Sequence, residues 1–262
     1  MTAGELYKAG KLQEAIDAQI QEVKNNPGDH ARRLFLFELL AFAGDLDKAQ
    51  KQIDAIQYGE MERDTAVMTY RKLLDAERLR RRLFGESLKP QFLLAPPEHV
   101  NLRIEAINRL RENRPAEAKA TLDQADQAAP ALKGVLNGKP FDTLRDADDL
   151  FGPVLEVMAR GLYFWVPLEQ VESVAMNAPR FPRDLLWVPA KLALNDGQSG
   201  DVFMPALYPD SHSHVDNQVK LGRVTDWHET PAGPVRGLGL RTFLVGEEAH
   251  SLLDWRQLQI GE

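Results

Sequence analysis

Apolar residues in the first half of the chain recur at helical spacing, and the pattern repeats. The stretch AGKLQEAI, Ala9 to Ile16, returns as AGDLDKAQ, Ala43 to Gln50. From Gly10 to Gly44 and from Ala15 to Ala49 the step is 34 residues, the tetratricopeptide length, in which two antiparallel helices meet at a tight turn. Glycine at each turn lets the preceding helix end in a left-handed backbone without steric cost. Ala15 and Ala49 are small enough for paired helices to approach closely. A weaker third copy runs through ENRPAEAKATLDQADQAAP, Glu112 to Pro130, with Asn113 in the glycine position and Ala118 in the alanine position. Pro27 and Pro130 close corresponding second helices, and Asn113, Ala118 and Pro130 each lie 103 residues beyond Gly10, Ala15 and Pro27.

Between these copies, Asp64 to Phe84 reads as one long helix with apolar positions at Val67, Tyr70, Leu73, Leu74 and Leu79, stopped at Gly85. LKPQFLLAPP, Leu88 to Pro97, cannot be a regular helix because prolines remove donors and restrict the residues before them. It reads as an extended linker laid over the helices. After Pro130 the texture changes to turn-rich ALKGVLNGKPFDTLRDADD, which places a domain boundary between Leu132 and Lys133. A short helix is predicted at Asp149 to Arg160. Gly161 to Val174, Leu185 to Leu194, Gly200 to Leu207 and Leu240 to Val245 follow as short runs rich in aromatics and valine, the signature of strands. Prolines at 167, 189 and 205 predict bends or sheet edges within them. The expected fold class is α+β: helical repeats over 1–132, then a mixed, mainly antiparallel domain over 133–262.

Composition narrows the function classes. A hydrophobic content of 44% with 27% charged residues is that of a globular chain, and no apolar run approaches the ~18 residues of a membrane span. The start, MTAGELYKAGKLQEAI, carries acidic residues where a secretory signal needs a basic end and an apolar run, so export by that route is not expected. The absence of cysteine excludes disulfides and thiolate-bound metals and is compatible with a cytoplasmic setting. A net charge of -7 argues against general nucleic-acid binding, which needs clustered positive charge. The basic run RLRRR, Arg78 to Arg82, reads as the solvated face of a helix end.

Candidate chemistry concentrates in YPDSHSHVDNQVKLG, Tyr208 to Gly222. Asp210, His212, His214 and Asp216 offer nitrogen and oxygen donors for zinc or iron, and on a strand His212 and His214 would share a face, the alternative reading being a metal-dependent enzyme built on this cluster with the helices as scaffold. The flanking Pro209, Asn217 and serines favour a polar loop instead, and Asp226 and His228 could complete a site only if the fold brought them near. There is no phosphate-binding glycine loop with lysine, no HExxH and no GxSxG. VRGLGLR, Val235 to Arg241, has GxG alone and reads as a hairpin turn. The paired acids Asp148 and Asp149, and Glu247 and Glu248, read as surface features. Tyr163, Phe164, Trp165 and Trp187 read as core, while Trp227 and Trp255 sit nearer polar residues.

In the second half, GLYFWVPLEQVESV, RDLLWVPAKLAL, VFMPALYP, LGRVTDW and VRGLGLRTFLVGEE occur in that order. The succession resembles the ImpE family, also called SciE-type or TagJ proteins, and with the helical start the likeness spans nearly the whole chain. The resemblance implies a cytoplasmic accessory component of the bacterial type VI secretion system that binds and does not catalyse, and that needs no cofactor. It implies association with the N-terminal helix of the small contractile-sheath subunit, with a bearing on sheath assembly or on recycling by the system's AAA+ ATPase.

A short helical-repeat array makes a concave groove in which an amphipathic helix can lie. On the repeat register, Ala31, Leu34, Glu38 and Ala41 face that groove from the second copy, and Val100, Arg103, Ile107 and Leu110 from the third. The apolar positions would supply affinity, and Glu38 and Arg103 polarity and register. The competing reading makes Leu34, Ile107 and Leu110 packing between repeats. A scaffold whose second domain makes the main contact also stays open.

Overall fold

Helical hairpins form at all three copies of the repeat in the computed structural model, which describes residues 1–261. α1 (Ala3–Lys8) turns into α2 (Leu12–Asn25), α3 (His30–Phe42) into α4 (Leu46–Asp54), and α6 (Glu98–Arg111) into α7 (Pro115–Ala128). The residues at the three turns are left-handed, with φ of 78° at Gly10, 78° at Gly44 and 57° at Asn113. Ala15, Ala49 and Ala118 are fully buried where the helices cross. Asp29 and Asp45 fix the starts of α3 and α4 by accepting free backbone N–H groups of the first turn. α5 (Met61–Gly85) is a single helix of 25 residues between the second and third hairpins.

The two glycines do more than bend the chain. A Cβ at Gly44 would lie 2.2 Å from the His212 ring, and one at Gly10 2.1 Å from the Gln218 amide. Arg223 also donates to the Tyr7 and Lys8 carbonyls at the end of α1. The turns of the first two hairpins are therefore docking points for the segment between 212 and 223.

The strand-rich half is antiparallel. β1 (Gly134–Leu136), β2 (Lys139–Phe141), β3 (Leu144–Asp146), β4 (Val154–Ala159), β5 (Leu162–Pro167), β6 (Val171–Met176), β7 (Trp187–Leu194) and β8 (Ser199–Pro205) come first. A one-turn helix α8 (Asn217–Lys220) precedes β9 (Thr225–His228), β10 (Arg236–Gly239), β11 (Thr242–Val245), β12 (Glu248–Ser251) and β13 (Gln257–Ile260). Eight strands form one sheet in the order β2-β1-β13-β6-β7-β8-β4-β5, flanked by a three-stranded sheet, β12-β11-β3, and the β9-β10 pair.

The segment 149–160 is not the predicted helix: its end is β4, preceded by Pro153. Because β4 is buried on both faces, VLEVMA shows no alternation, and a short apolar run of this kind does not separate strand from helix. The linker at 88–97 is extended as expected but lies on the sheet, not over the helices. Gln91 N donates to Tyr163 O and Trp165 N to Gln91 O, both at 3.0 Å, along the outer edge of β5. Pro167 and Pro205 end their strands, and Pro189 lies one residue past the last β6 pair, Met176 with Ala190, while standing opposite Phe203 of β8 on its other side. VRGLGLR is strand β10 and not a turn, since its Gly237 leaves room for the Tyr208 ring, 2.4 Å from where a Cβ would stand.

Alternation along β4 joins the halves. Val154 and Met158 belong to an apolar cluster shared with Phe37 and Leu74 of the helices and with Phe151, Trp165, Trp187 and Tyr208, whereas Leu155 and Val157 face a second cluster around Phe243, Trp255 and Leu258. Tyr163, Trp165 and Trp187 are core, as is Trp255, while Trp227 stays partly exposed.

Glu156 sits between Val154 and Met158, so it points at the helices with its side chain closed off from solvent. Arg80 of α5 donates to both of its carboxylate oxygens, at 2.7 and 2.8 Å, and to the Leu207 carbonyl at 2.7 Å. Arg241 and the Tyr163 hydroxyl donate to the same carboxylate. The run RLRRR is thus not a uniformly solvated face: Arg80 is buried, Arg81 binds Glu77 and the Gly44 carbonyl, Arg78 is partly buried on the Leu46 carbonyl and reaches the exposed Asp47 and Asp75, and the Arg82 to Glu86 pair lies in solvent.

Glu156→Leu is expected to leave Arg80 and Arg241 as buried charges lacking this partner and to cost about 3–5 kcal/mol. Arg82→Ala should leave the urea midpoint unchanged, and equilibrium unfolding of both variants beside the parent checks the contrast.

Candidate functional site

The groove positions lie mostly inside the molecule. Ala41, Val100 and Ile107 are buried in the shared core, Leu34 and Leu110 are half-buried against it, and Ala31 is exposed. Glu38, expected to meet a partner, is 3% exposed and pairs with Arg183 from the loop before β7 at 2.5 Å. Burial raises the Glu38 carboxyl above its ordinary value and Arg183 opposes the shift. The guanidinium of Arg183 also stacks on the Tyr70 and Phe181 rings, at 4.9 and 4.1 Å. Phe37 stacks on Trp187 beside this contact. On the third copy, Arg103 is fully buried, donates to the Asp149 carbonyl at 2.9 Å, pairs with Asp126, and covers Gly152 so closely that a Cβ there would meet its guanidinium. The second half answers Glu38 with the Arg183 charge and Arg103 with the Asp149 carbonyl, while the charge partner of Arg103 is Asp126 on α7.

A charged cluster continues from Glu156. Arg241 donates to Asp146 at 2.8 Å and lies over the Phe151 ring at 4.3 Å, and the Tyr208 hydroxyl donates to Asp146 at 2.6 Å. Burial pushes Asp146 up to about 6 against the pull of Arg241. Burial also brings Arg241 down to about 10, with Asp146 opposing. Asp148 is not a surface acid: it is fully buried, pairs with Arg236 at 2.9 Å and accepts the N–H of Leu150 and Gly237. The cavity beside this network, lined by Glu77, Arg80, Arg81, Tyr208 and His212, holds about 30 Å³, space for a water and not for a substrate. The sequence signal for this cluster was a single Glu in VLEVMA and a single Arg in LGLRTFLV, charges placed inside apolar runs.

The histidine-rich stretch divides. His212 turns toward the helices and packs on Gly44, while Asp210 takes a left-handed backbone, φ 64°, and Asp216 caps α8 by accepting from Gln218 N. These residues do not converge with His214. His214 instead meets β9: its Nε2 is 3.1 Å from Asp226 Oδ2, and His228 Nε2 is 3.6 Å from the same oxygen. Asp226 and His228 share one face of β9, and Trp227 on the other packs edge-on against Tyr208 with ring centres 5.8 Å apart. His214 Nδ1 accepts from Asp216 N at 3.0 Å, which leaves the proton of the neutral ring on Nε2, directed at Asp226.

An array of helical hairpins closed on one side by an antiparallel sheet, and tied to it by buried ion pairs, defines the class of protein. A family model described as ImpE protein matches residues 138–259. The chain is 37% identical over 260 residues to the Type VI secretion system accessory component TagJ of Pseudomonas aeruginosa, covering 98% of this chain and 90% of that one. The chain belongs to this ImpE family. The crystal structure of protein VPA1032 from Vibrio parahaemolyticus shares the fold, with a TM-score of 0.90 at 24% identity over 99% of this chain and 97% of that one. Among the described residues no helix is long and apolar enough to cross a membrane.

Burial, and then the nearby Arg81, hold His212 below the ordinary histidine value of 6.5, so the fold favours the neutral ring. Its stabilisation is full above pH 6.5 and is lost as pH falls through the lowered value. His212→Gln should therefore lose less stability than the parent between about pH 7 and pH 5, measured as thermal midpoints across that range.

Proposed function

We propose that this protein is a non-enzymatic accessory component of a bacterial type VI secretion system, acting in the cytoplasm by binding the N-terminal helix of the small contractile-sheath subunit. Through that contact it influences sheath assembly or recycling. The observation that carries this reading is the 37% identity to an accessory component of that system along 98% of the chain. The geometry adds support of a different kind: the polar groups buried between the halves are engaged with one another, as in a scaffold held in one shape, and the space beside them is water-sized.

Helix capture would have to use what the sheet leaves uncovered. On α3 that is Ala31 and Leu34, next to His30, whose ring meets Tyr58 edge-on at 5.0 Å, and on α6 it is Leu110. Ala31 and Leu34 are three residues apart on one helix face, the spacing at which an amphipathic partner helix presents its own apolar positions. Glu38 serves the interior, so polarity in this contact would come from the neighbouring Arg32 and Arg33, both partly exposed.

Calorimetric titration of the full-length chain with a peptide of the small sheath subunit's first helix tests the reading. Saturable binding is expected, weakened about tenfold or more by Leu34→Asp, the scale of losing one apolar anchor, with the circular dichroism spectrum unchanged. Absence of saturable binding by the parent protein would remove the sheath helix as partner.

A further inference from the structure

We propose that His214, Asp226 and His228 form a binding site for a zinc-class divalent transition-metal ion, which fastens the loop after β8 to the β9-β10 pair. The nitrogen and oxygen atoms these residues offer all lie within 4.8 Å of one another. Two of the separations, 3.1 Å from His214 Nε2 and 3.6 Å from His228 Nε2 to Asp226 Oδ2, bracket the edge of a tetrahedron around zinc, about 3.4 Å for metal-ligand bonds near 2.0–2.1 Å. Two imidazoles with one carboxylate select zinc, cobalt, nickel or copper over magnesium and calcium, which take oxygen sets.

Tertiary structure prepares this arrangement. Strand alternation puts Asp226 and His228 on one face of β9, and Trp227 holds the opposite face against Tyr208. His214 reaches across from the loop with its side chain 15% exposed, while those of Asp226 and His228 are 47% and 54% exposed, so the fourth position faces water. The ion would join segments that the single hydrogen bond between His214 and Asp226 links at this point.

Binding demands one rearrangement. An ion on His214 Nε2 displaces the proton held there, the proton moves to Nδ1, and the hydrogen bond from Asp216 N to Nδ1 is given up to water. One exposed hydrogen bond lowers affinity by roughly tenfold at most. The adjoining Val215 is 94% exposed and offers no packing that resists the turn.

Full-length protein stripped with chelator and dialysed is titrated with zinc and, separately, with cobalt, whose visible absorption reports tetrahedral nitrogen and oxygen coordination. One equivalent is expected to bind, with the intense absorption of a four-coordinate site. His228→Ala and Asp226→Asn should each weaken binding about tenfold or more, the scale at which even outer-shell partners of a metal site act. His250→Ala serves as control, because His250 also stands beside an acid, Glu248 at 3.2 Å, but outside the cluster. It should leave binding unchanged. Zinc binding by the parent no tighter than by His228→Ala, equal loss in His250→Ala, or a preference for magnesium would each overturn the proposal. Circular dichroism confirms that the variants fold, and the half-exposed His228 makes its loss the least disruptive of the three.

Discussion

The fold turns on a carboxylate that cannot be left alone. Glu156 lies on β4, one strand in from the edge of the sheet, with no exposed side-chain surface, and its charge is met from α5 by Arg80 and from just before β11 by Arg241. Such a cluster contributes little net stability, because desolvating the ions offsets much of their attraction. What it confers is geometry: Arg80 is the member that comes from the helices, and its guanidinium must meet Glu156 and the Leu207 carbonyl together. Tyr208 and Tyr163 complete the hydrogen bonds within the sheet half, while Glu38 with Arg183 and Arg103 with the Asp149 carbonyl also cross between the halves, so a shifted docking would strand several buried polar groups at once.

That docking changes what the helical repeat can do. In isolation the hairpins would present a concave face, but here the sheet and the Arg183 loop fill it. Glu38 and Arg103 consequently serve as internal attachment points, and of the groove positions only Ala31 stays exposed, with Leu34 and Leu110 half-buried. The glycines at the hairpin turns play two parts, since their left-handed backbone ends a helix and their missing Cβ admits His212 and Gln218. Asn113 keeps the first part, with a φ of 57°, at the turn of the third hairpin.

The second half organises its polar residues by strand alternation. β4 directs Glu156 to the helices and Leu155 and Val157 to the other core, and β9 directs Trp227 inward and Asp226 and His228 outward. The first produces a closed ionic cluster and the second an open group of metal-ligand type on the surface. His212 and His214, two residues apart in the sequence, end on different sides of their loop because a short helical turn, not a strand, carries them.

The sequence by itself determined what depends on local periodicity: the three hairpins, their turn residues, the long α5, the shift to strands after Pro130, and the family succession of motifs. Those signals lie within windows of a few residues or recur at a fixed step, where backbone preference and apolar spacing suffice. Tertiary structure decided that 154–159 is a strand, that the proline-rich linker lies on the sheet edge, that Arg80 is buried, and that His214 finds its partners on β9. Each of these rests on pairing between residues far apart in the chain, as Arg80 with Glu156 or His214 with Asp226. A buried charge and a solvated one carry the same letter in the sequence, and only the neighbour brought up by the fold tells them apart.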